Sequence, residues 1–506
     1  MNSVNNEATH TKLKSSEEAT KDKSSRNNEQ RRLIKPGYEY NPAVKYLGFS
    51  LLLSYHYVLW FNPESFYPIP LLDEKITIGW LVNLLGTSLA MIVVALVLKR
   101  SNHLSSIKML DKVVPLVLIA ITLVLESIAP SLSNPVLLYG SSMIAGAFEG
   151  LMLILWSESL VRSNAKFSVI HIGATFGCTL FACMVLGLIM PNFATPIFCV
   201  ILVAISGVLL VMQSGALEND YVTLLPKKAA KPAMETVAVV CMIGFVTSIA
   251  CYYLTAIIPW ENMPTQIFTF TMGVFAAAVM ILLVCVICSF TKEKASIFKI
   301  FPYYLVLVIA CLATFILSED LYLVSFLGAL CISSLLEVSL IMYFGILMQR
   351  GFFSPAMAFT LSVASARLGI FVGNGLALGF EFNPELAQVA TDPTALAFVC
   401  LLAFLLIPIT KRENSILELT SAPVKPAEIE VICQEVSQEF ALSEREAEIL
   451  KLLAKGNTAN GIANKLVISP HTVNTHIRHI YDKVGIHKRS ELLEYINMRK
   501  DDSLNE

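Results

Sequence analysis

From about residue 43 to residue 410 the chain alternates long apolar runs with short polar connections. A helix rises 1.5 Å per residue, so about 20 apolar residues cross the hydrocarbon of a bilayer. Twelve runs fit that requirement, at roughly 43–62, 76–98, 113–130, 135–157, 167–190, 194–213, 234–258, 265–290, 300–317, 321–348, 355–380 and 394–410. Residues 1–40 are rich in Ser, Asn, Lys and Glu and nearly free of apolar side chains, which predicts a disordered tail. No short apolar core follows an N-terminal charge cluster, so a cleaved signal peptide is not expected. Beyond Arg412 the long runs stop and short amphipathic stretches begin.

The polar connections carry an asymmetric charge. Alternate loops hold Lys99, Arg100, Lys108, Lys112, Arg162, Lys166, Lys227, Lys228, Lys231, Lys292, Lys294, Lys299 and Arg350. The opposite set holds one base, Lys75, with Glu64, Asp73, Glu74, Glu261, Glu319, Asp320, Glu381, Glu385 and Asp392. By the positive-inside rule this places both termini in the cytoplasm, here of a bacterial cell with the spans in its inner membrane. One missed or invented span would scramble the alternation, so the charges also check the count. Overall, 55% of residues are hydrophobic and 15% charged, against about 25% charged in soluble domains. Ten of the eleven cysteines lie in the apolar runs, and Cys285 and Cys288 form a CxxC with no His or carboxylate nearby. Packing in a helix bundle, with no metal and no cofactor, is the expectation.

Charges in mid-span cost on the order of 3 kcal/mol each at the helix centre. Here they are Glu149, Glu337 and Arg367, with Glu126 nearer the outer end of the third span. Two readings remain open: a polar cavity that binds a small molecule or protons, or an internal ion pair that fixes packing. His56 and His171 are weaker cavity candidates, since each also suits an interfacial or hydrogen-bonded histidine.

The longest internal loop, 214–233, divides the spans six plus six, and spans four and ten each place one Glu at corresponding positions, Glu149 and Glu337. This arrangement resembles the major facilitator superfamily of transporters, whose halves enclose a central site at the bilayer midplane. That family's loop between spans two and three reads G-x-x-x-D-R-x-G-R-[RK]. Here the stretch Leu98 to Ser106 keeps the charge but lacks the Asp and Gly pattern, which argues against a transport cycle and for a sensor.

Residues 412–437, with Pro423 and Pro426, predict a short extended linker with room for a helix after it. Residues 438–502 predict four short helices. Ser443 and Glu446 form an S-x-x-E capping box, Gly456 suits a C-terminal cap and Thr458 an N-cap. Ser469 followed by Pro470 starts the third helix, and Gly485 ends it. Its Val473, Ile477, Ile480 and Val484 form one buried stripe. His471, Asn474, Thr475 and Arg478 lie on the opposite face, as a major-groove reader requires. Over 440–500 ten bases face six acids, a net +4.

The residues Leu442-Ser443-Glu444-Arg445-Glu446, Leu453-Ala454-Lys455-Gly456-Asn457, Ile462-Ala463, Ile468-Ser469, Thr472-Val473, His476, Ile480, Lys483-Val484 and Arg489 resemble the LuxR/GerE family of regulators over about 60 residues. The resemblance implies a dimeric, sequence-specific DNA binder. By position it assigns Asn474, Thr475 and Arg478 to base edges, and Thr472, Lys483, Lys488 and Arg489 to the backbone. Asn474 replaces a usual Lys, which favours adenine over guanine and alters the expected operator, and Asn460-Gly461 replaces a usual Lys-Glu, the Gly weakening its helix by about 1 kcal/mol.

The expected architecture is therefore all-α. It comprises a disordered tail (1–40), a twelve-span, six-plus-six, transporter-like bundle (41–411), a linker (412–437) and a four-helix LuxR-type helix-turn-helix domain (438–502). The expected partners are DNA, the lipid bilayer, an unidentified small-molecule ligand and a second copy of the chain through the C-terminal domain. Residues 412–506 hold no catalytic constellation, so a regulator rather than an enzyme is expected. A secondary transporter with an attached DNA-binding regulatory domain is the alternative.

Overall fold

A computed structural model describes residues 42–61, 73–98, 103–107, 109–125, 135–163, 165–191, 194–216, 227–258, 266–290, 297–420, 426–454, 459–489, 491–492 and 495–496. The N-terminal tail, Glu126, Gly456 and Thr458 lie outside these residues, as do residues 217–226 of the loop 214–233. The chain divides into two units at Arg412, and every regular element among the described residues is helical, with no strand.

In the first unit the helices are α1 (Pro42–Phe61), α2 (Asp73–Val97), α3 (Leu110–Leu123), α4 (Pro135–Arg162), α5 (Ala174–Ile189), α6 (Thr195–Ala216), α7 (Lys227–Ile257), α8 (Gln266–Phe290), α9 (Phe301–Leu317) and α10 (Tyr322–Gln349). They continue with α11 (Pro355–Glu381) and α12 (Pro384–Thr420). Each expected span coincides, over its described residues, with one of them. Ten of these stretches are long and apolar enough to cross a membrane. The other two are α1 and α3, and α3 is described over only 14 residues.

The two sets of six pack alike. Helix α1 packs on α5, and α4 on both α2 and α3; α7 packs on α11, and α10 on both α8 and α9. The sets meet through α5 with α8 and through its counterpart pair, α11 with α2. A π-turn opens α5 at Val169–Gly173 and another interrupts α11 at Thr360–Ala364, again at matching places. Without a hydrophobic force between helices in lipid, close approach relies on small residues. Gly146 of α4 lies against the carbonyl of Asn83 on α2, and Gly369 of α11 against that of Phe245 on α7, with no room for a Cβ at either.

In the second unit α13 (Pro426–Glu439), α14 (Glu444–Ala454), α15 (Ala459–Leu466) and α16 (Pro470–Val484) surround a core that includes Ile449, Leu450, Ile462, Val473, Ile480, Leu492 and Ile496. The expected linker 412–437 is largely helical: α12 runs on to Thr420, and α13 buries Ile432, Cys433 and Val436 in this core. The flanking prolines suggested extension, but Ile429, Ile432, Cys433, Val436 and Phe440 repeat at helical spacing. A short run and a tight core decided the outcome over composition.

The caps follow the sequence chemistry. Ser443 Oγ accepts the Glu446 N–H at 3.3 Å, and Glu446 Oε2 accepts the Ser443 N–H at 2.8 Å. Ser469 Oγ accepts the Thr472 N–H at 3.0 Å, ahead of Pro470. Gly485 closes α16 with φ 75°, in the left-handed region that favours glycine.

Candidate functional site

Two groups of polar side chains stand out, one in each unit. In the first unit α1, α2, α4 and α11 bring four charged or polar groups to one point. Arg367 NH2 donates to Glu149 Oε1 at 2.6 Å, and Arg367 NH1 to Thr87 Oγ1 at 3.0 Å. Both Glu149 and Arg367 are almost wholly buried, at 1% and 2% exposure, so each needs the other to offset desolvation. His56 Nδ1 lies 3.2 Å from Glu149 Oε1, and Trp80 Nε1 donates to His56 Nε2 at 3.4 Å.

The π-turn of α11 ends three residues before Arg367. Its extra residue rotates the face that follows, and Thr360 Oγ1 ties the turn to the Met91 carbonyl of α2 at 3.0 Å. Arg367 is thus held from below as well as by its partners.

Glu337 of α10 is not paired with Arg367. It accepts the Tyr57 hydroxyl at 2.7 Å and remains half-buried. The structure therefore gathers Glu149, Arg367 and His56, with Glu337 near enough to act on Arg367 electrostatically. His171 lies apart: its Nδ1 bonds Ser168 Oγ at 2.7 Å and its ring packs on Tyr46.

Sequence reading missed Tyr57, Thr87 and Trp80, which look like ordinary polar breaks in apolar helices. It also missed Glu158, because span four was expected to stop at residue 157. Helix α4 continues to Arg162, and buried Glu158 accepts the N–H groups of Leu104 at 2.7 Å and Ser105 at 2.8 Å. This carboxylate fastens the α2–α3 loop to the end of α4. The α4–α5 loop is tied within its own set, where Tyr46 of α1 bonds Lys166, and across to the other set, where Gln349 of α10 bonds the Ala165 carbonyl and Phe167 packs on Gly345. Cys285 of the CxxC donates to the Val169 carbonyl at 3.3 Å, a packing role at the α5–α8 contact.

In the second unit α16 presents His471, Thr472, Asn474 and Arg478 exposed, with Val473 and Ile480 buried opposite. Thr475 is half-buried and its hydroxyl donates to the His471 carbonyl at 3.1 Å. Thr472 pairs with the cap Ser469 at 2.8 Å. Lys488 is exposed. Lys483 and Arg489, assigned to the DNA backbone by position, are engaged internally. Lys483 Nζ reaches Glu446 Oε2 at 2.7 Å, and Arg489 NH2 the Leu453 carbonyl at 3.5 Å, at the end of α14. Arg489 therefore works as a C-terminal helix cap.

Glu446, His476 and His479 bring one donor atom each within 4.8 Å of one another. The carboxylate is already committed to Lys483 and the Ser443 N–H, so this cluster is a brace between α14 and α16. Burial pushes the Glu446 carboxyl up, but Lys483 and Ser443 outweigh it and hold it down to about 2. A depressed carboxylate adds stability above its unfolded value of about 4.3, and that contribution fades as pH falls through the folded value. Protection factors of α14 and α16 amides in the full chain, corrected for the intrinsic pH dependence of exchange, should therefore fall between about pH 4.3 and 2. Glu446→Gln should remove most of that acid dependence; an unchanged profile would count against the brace.

Residues 441–496 match the family described as bacterial regulatory proteins, luxR family. The chain is 48% identical over 59 residues to the oxygen regulatory protein NreC of Staphylococcus aureus strains JH9 and USA300. That match covers 12% of this chain and 27% of NreC, so the chain spans about a quarter of the length of the curated relatives it matches. A solved structure of the human organic anion transporter MFSD10 (TETRAN) aligns over 74% of this chain and 99% of that one, at 16% identity and a TM-score of 0.44. The second unit carries a LuxR-type helix-turn-helix, and it is joined in one chain to a multi-pass helical unit.

Proposed function

We propose that this protein is a membrane-bound one-component transcription regulator. The first unit senses a small molecule in the bacterial inner membrane, and the second binds DNA in the cytoplasm. One observation carries the reading: a luxR-family helix-turn-helix with Asn474 and Arg478 exposed follows, in the same chain, a bundle with charged residues buried at mid-span. The thirteen-to-one distribution of loop bases supports cytoplasmic termini. Dimeric binding to paired half-sites follows from the family resemblance.

A ligand shifts a two-state equilibrium only by its differential affinity, about 5.5 kcal/mol to move it from 1:99 to 99:1. The His56–Glu149–Arg367–Thr87 network spans four helices from both sets of six, so a ligand that rearranges it acts on how the sets meet. Tethered DNA-binding units have a high local concentration, so a modest change in their geometry is enough to control paired binding.

The test is a transcriptional reporter on promoters that respond to deletion of this gene. Glu149→Gln and Glu337→Gln, checked for normal abundance, should each shift the inducer response by tenfold or more. Wild-type responses in both variants would defeat the sensor reading. The six-plus-six repeat with a mid-span charge cluster favours, as a second reading, a transporter with an attached regulatory domain; substrate uptake by purified protein in liposomes separates the two.

A further inference from the structure

We infer that the centre of the membrane unit takes a cationic ligand with an apolar, preferably aromatic, body, and that Glu337 is its charge partner. This deepens the sensor reading above and depends on it.

The argument begins with charge. Among the described residues Arg367 is the one base in the middle of a span, and it is committed to Glu149 at 2.6 Å. Among the described residues Glu337 has no cation within ion-pair distance, and its one hydrogen bond there is from the Tyr57 hydroxyl at 2.7 Å. The centre therefore carries two carboxylates and one guanidinium. An uncompensated carboxylate in the middle of a span is costly, yet Glu337 is only half-buried, so a group entering the centre can meet it.

The surroundings suit a cation as well. Aromatic rings from three helices lie beside these groups: the Tyr57 hydroxyl of α1 meets Glu337, Trp80 of α2 meets His56, and Tyr252 of α7 packs on Trp80 with centroids 5.6 Å apart. Aromatic faces attract cations most strongly where water is excluded. Asn83, on α2 between Trp80 and Thr87, is fully buried and its Oδ1 has no hydrogen-bond partner among the described residues. A buried acceptor of this kind is costly to leave unmade, and an ammonium N–H would satisfy it. An anion would meet two carboxylates instead, and a neutral ligand would leave Glu337 uncompensated.

The experiment uses the purified full-length chain in detergent and two probes of similar shape and opposite sign, 2-naphthylmethylammonium and 2-naphthoate. Thermal unfolding and tryptophan fluorescence report binding. The ammonium should stabilise the wild type saturably, with half-saturation at least tenfold below that of the carboxylate. Glu337→Gln should weaken ammonium binding by tenfold or more and close the gap between the probes. Glu337→Asp, which withdraws the carboxylate by one methylene, should weaken it less and serves if the Gln variant does not fold. Equal binding of the two probes overturns the assignment. So does preference for naphthoate, absence of saturable ammonium binding, or an unchanged Glu337→Gln. The sensor reading is judged separately by the reporter: a wild-type response to an anionic or neutral inducer keeps the sensor and overturns the cation.

Discussion

Arg367→Met is expected to destabilise the membrane unit by about 3–5 kcal/mol, the range seen when one partner of a buried ion pair is removed. The reason is what the substitution leaves behind. Glu149 is 1% exposed, and its nearest positive charge is the Arg367 guanidinium at 2.6 Å. Methionine fills much of the arginine's volume, so the loss is charge and hydrogen bonds rather than packing. Thr87 also loses a donor. Against a total stability of about 5–15 kcal/mol for a typical protein, this is a large fraction. Glu149→Gln with Arg367→Met removes both charges together, and the pair should recover much of the loss because no ion remains buried alone. Thermal unfolding of the four purified proteins closes the cycle. If the double variant shows only the sum of the single losses, the pair is not coupled and the network does not hold the centre.

Much of this centre is legible in the sequence. Glu149, Glu337 and Arg367 stand out because charge is rare in apolar helices, and two of them sit at equivalent places in the repeat. The sequence could not say which carboxylate takes the arginine. That choice depends on the rotation of α11 after its π-turn at Thr360–Ala364, which leaves no periodic signature. His56 was weighed equally with His171 for the same reason. Both are histidines in apolar surroundings, and only the helix contacts put one beside Glu149 and the other beside Ser168.

The second unit shows the opposite balance. Its caps and buried stripe follow from local rules, so Ser443, Ser469, Gly485 and the Val473–Ile480 face lie where the chemistry of single helices puts them. What local rules miss is side-chain reach. Lys483 and Arg489 are basic and near the reading helix, and position alone assigns them to phosphate. Their long stems instead carry the charge back to Glu446 and to the end of α14.

This difference separates three kinds of substitution in α16 and its neighbours. Asn474→Ala and Arg478→Ala should each cost about 1–3 kcal/mol of discrimination between an operator and altered sequences, since each removes hydrogen bonds to base edges. Both side chains are exposed, so the fold should be unaffected. Lys488→Ala should weaken binding nearly evenly across sequences and lower the salt slope by about one. Arg489→Ala should act differently: it uncaps α14 at Leu453, so its loss of DNA affinity should track a lowered unfolding temperature and be restored on cooling. Fluorescence anisotropy with the full-length chain measures all four, on genomic fragments it selects and on scrambled controls, across a salt series. If Asn474→Ala and Arg478→Ala retain full sequence discrimination, α16 does not read bases through this face. If Arg489→Ala loses affinity with no change in unfolding, its guanidinium contacts DNA and the cap at Leu453 is incidental.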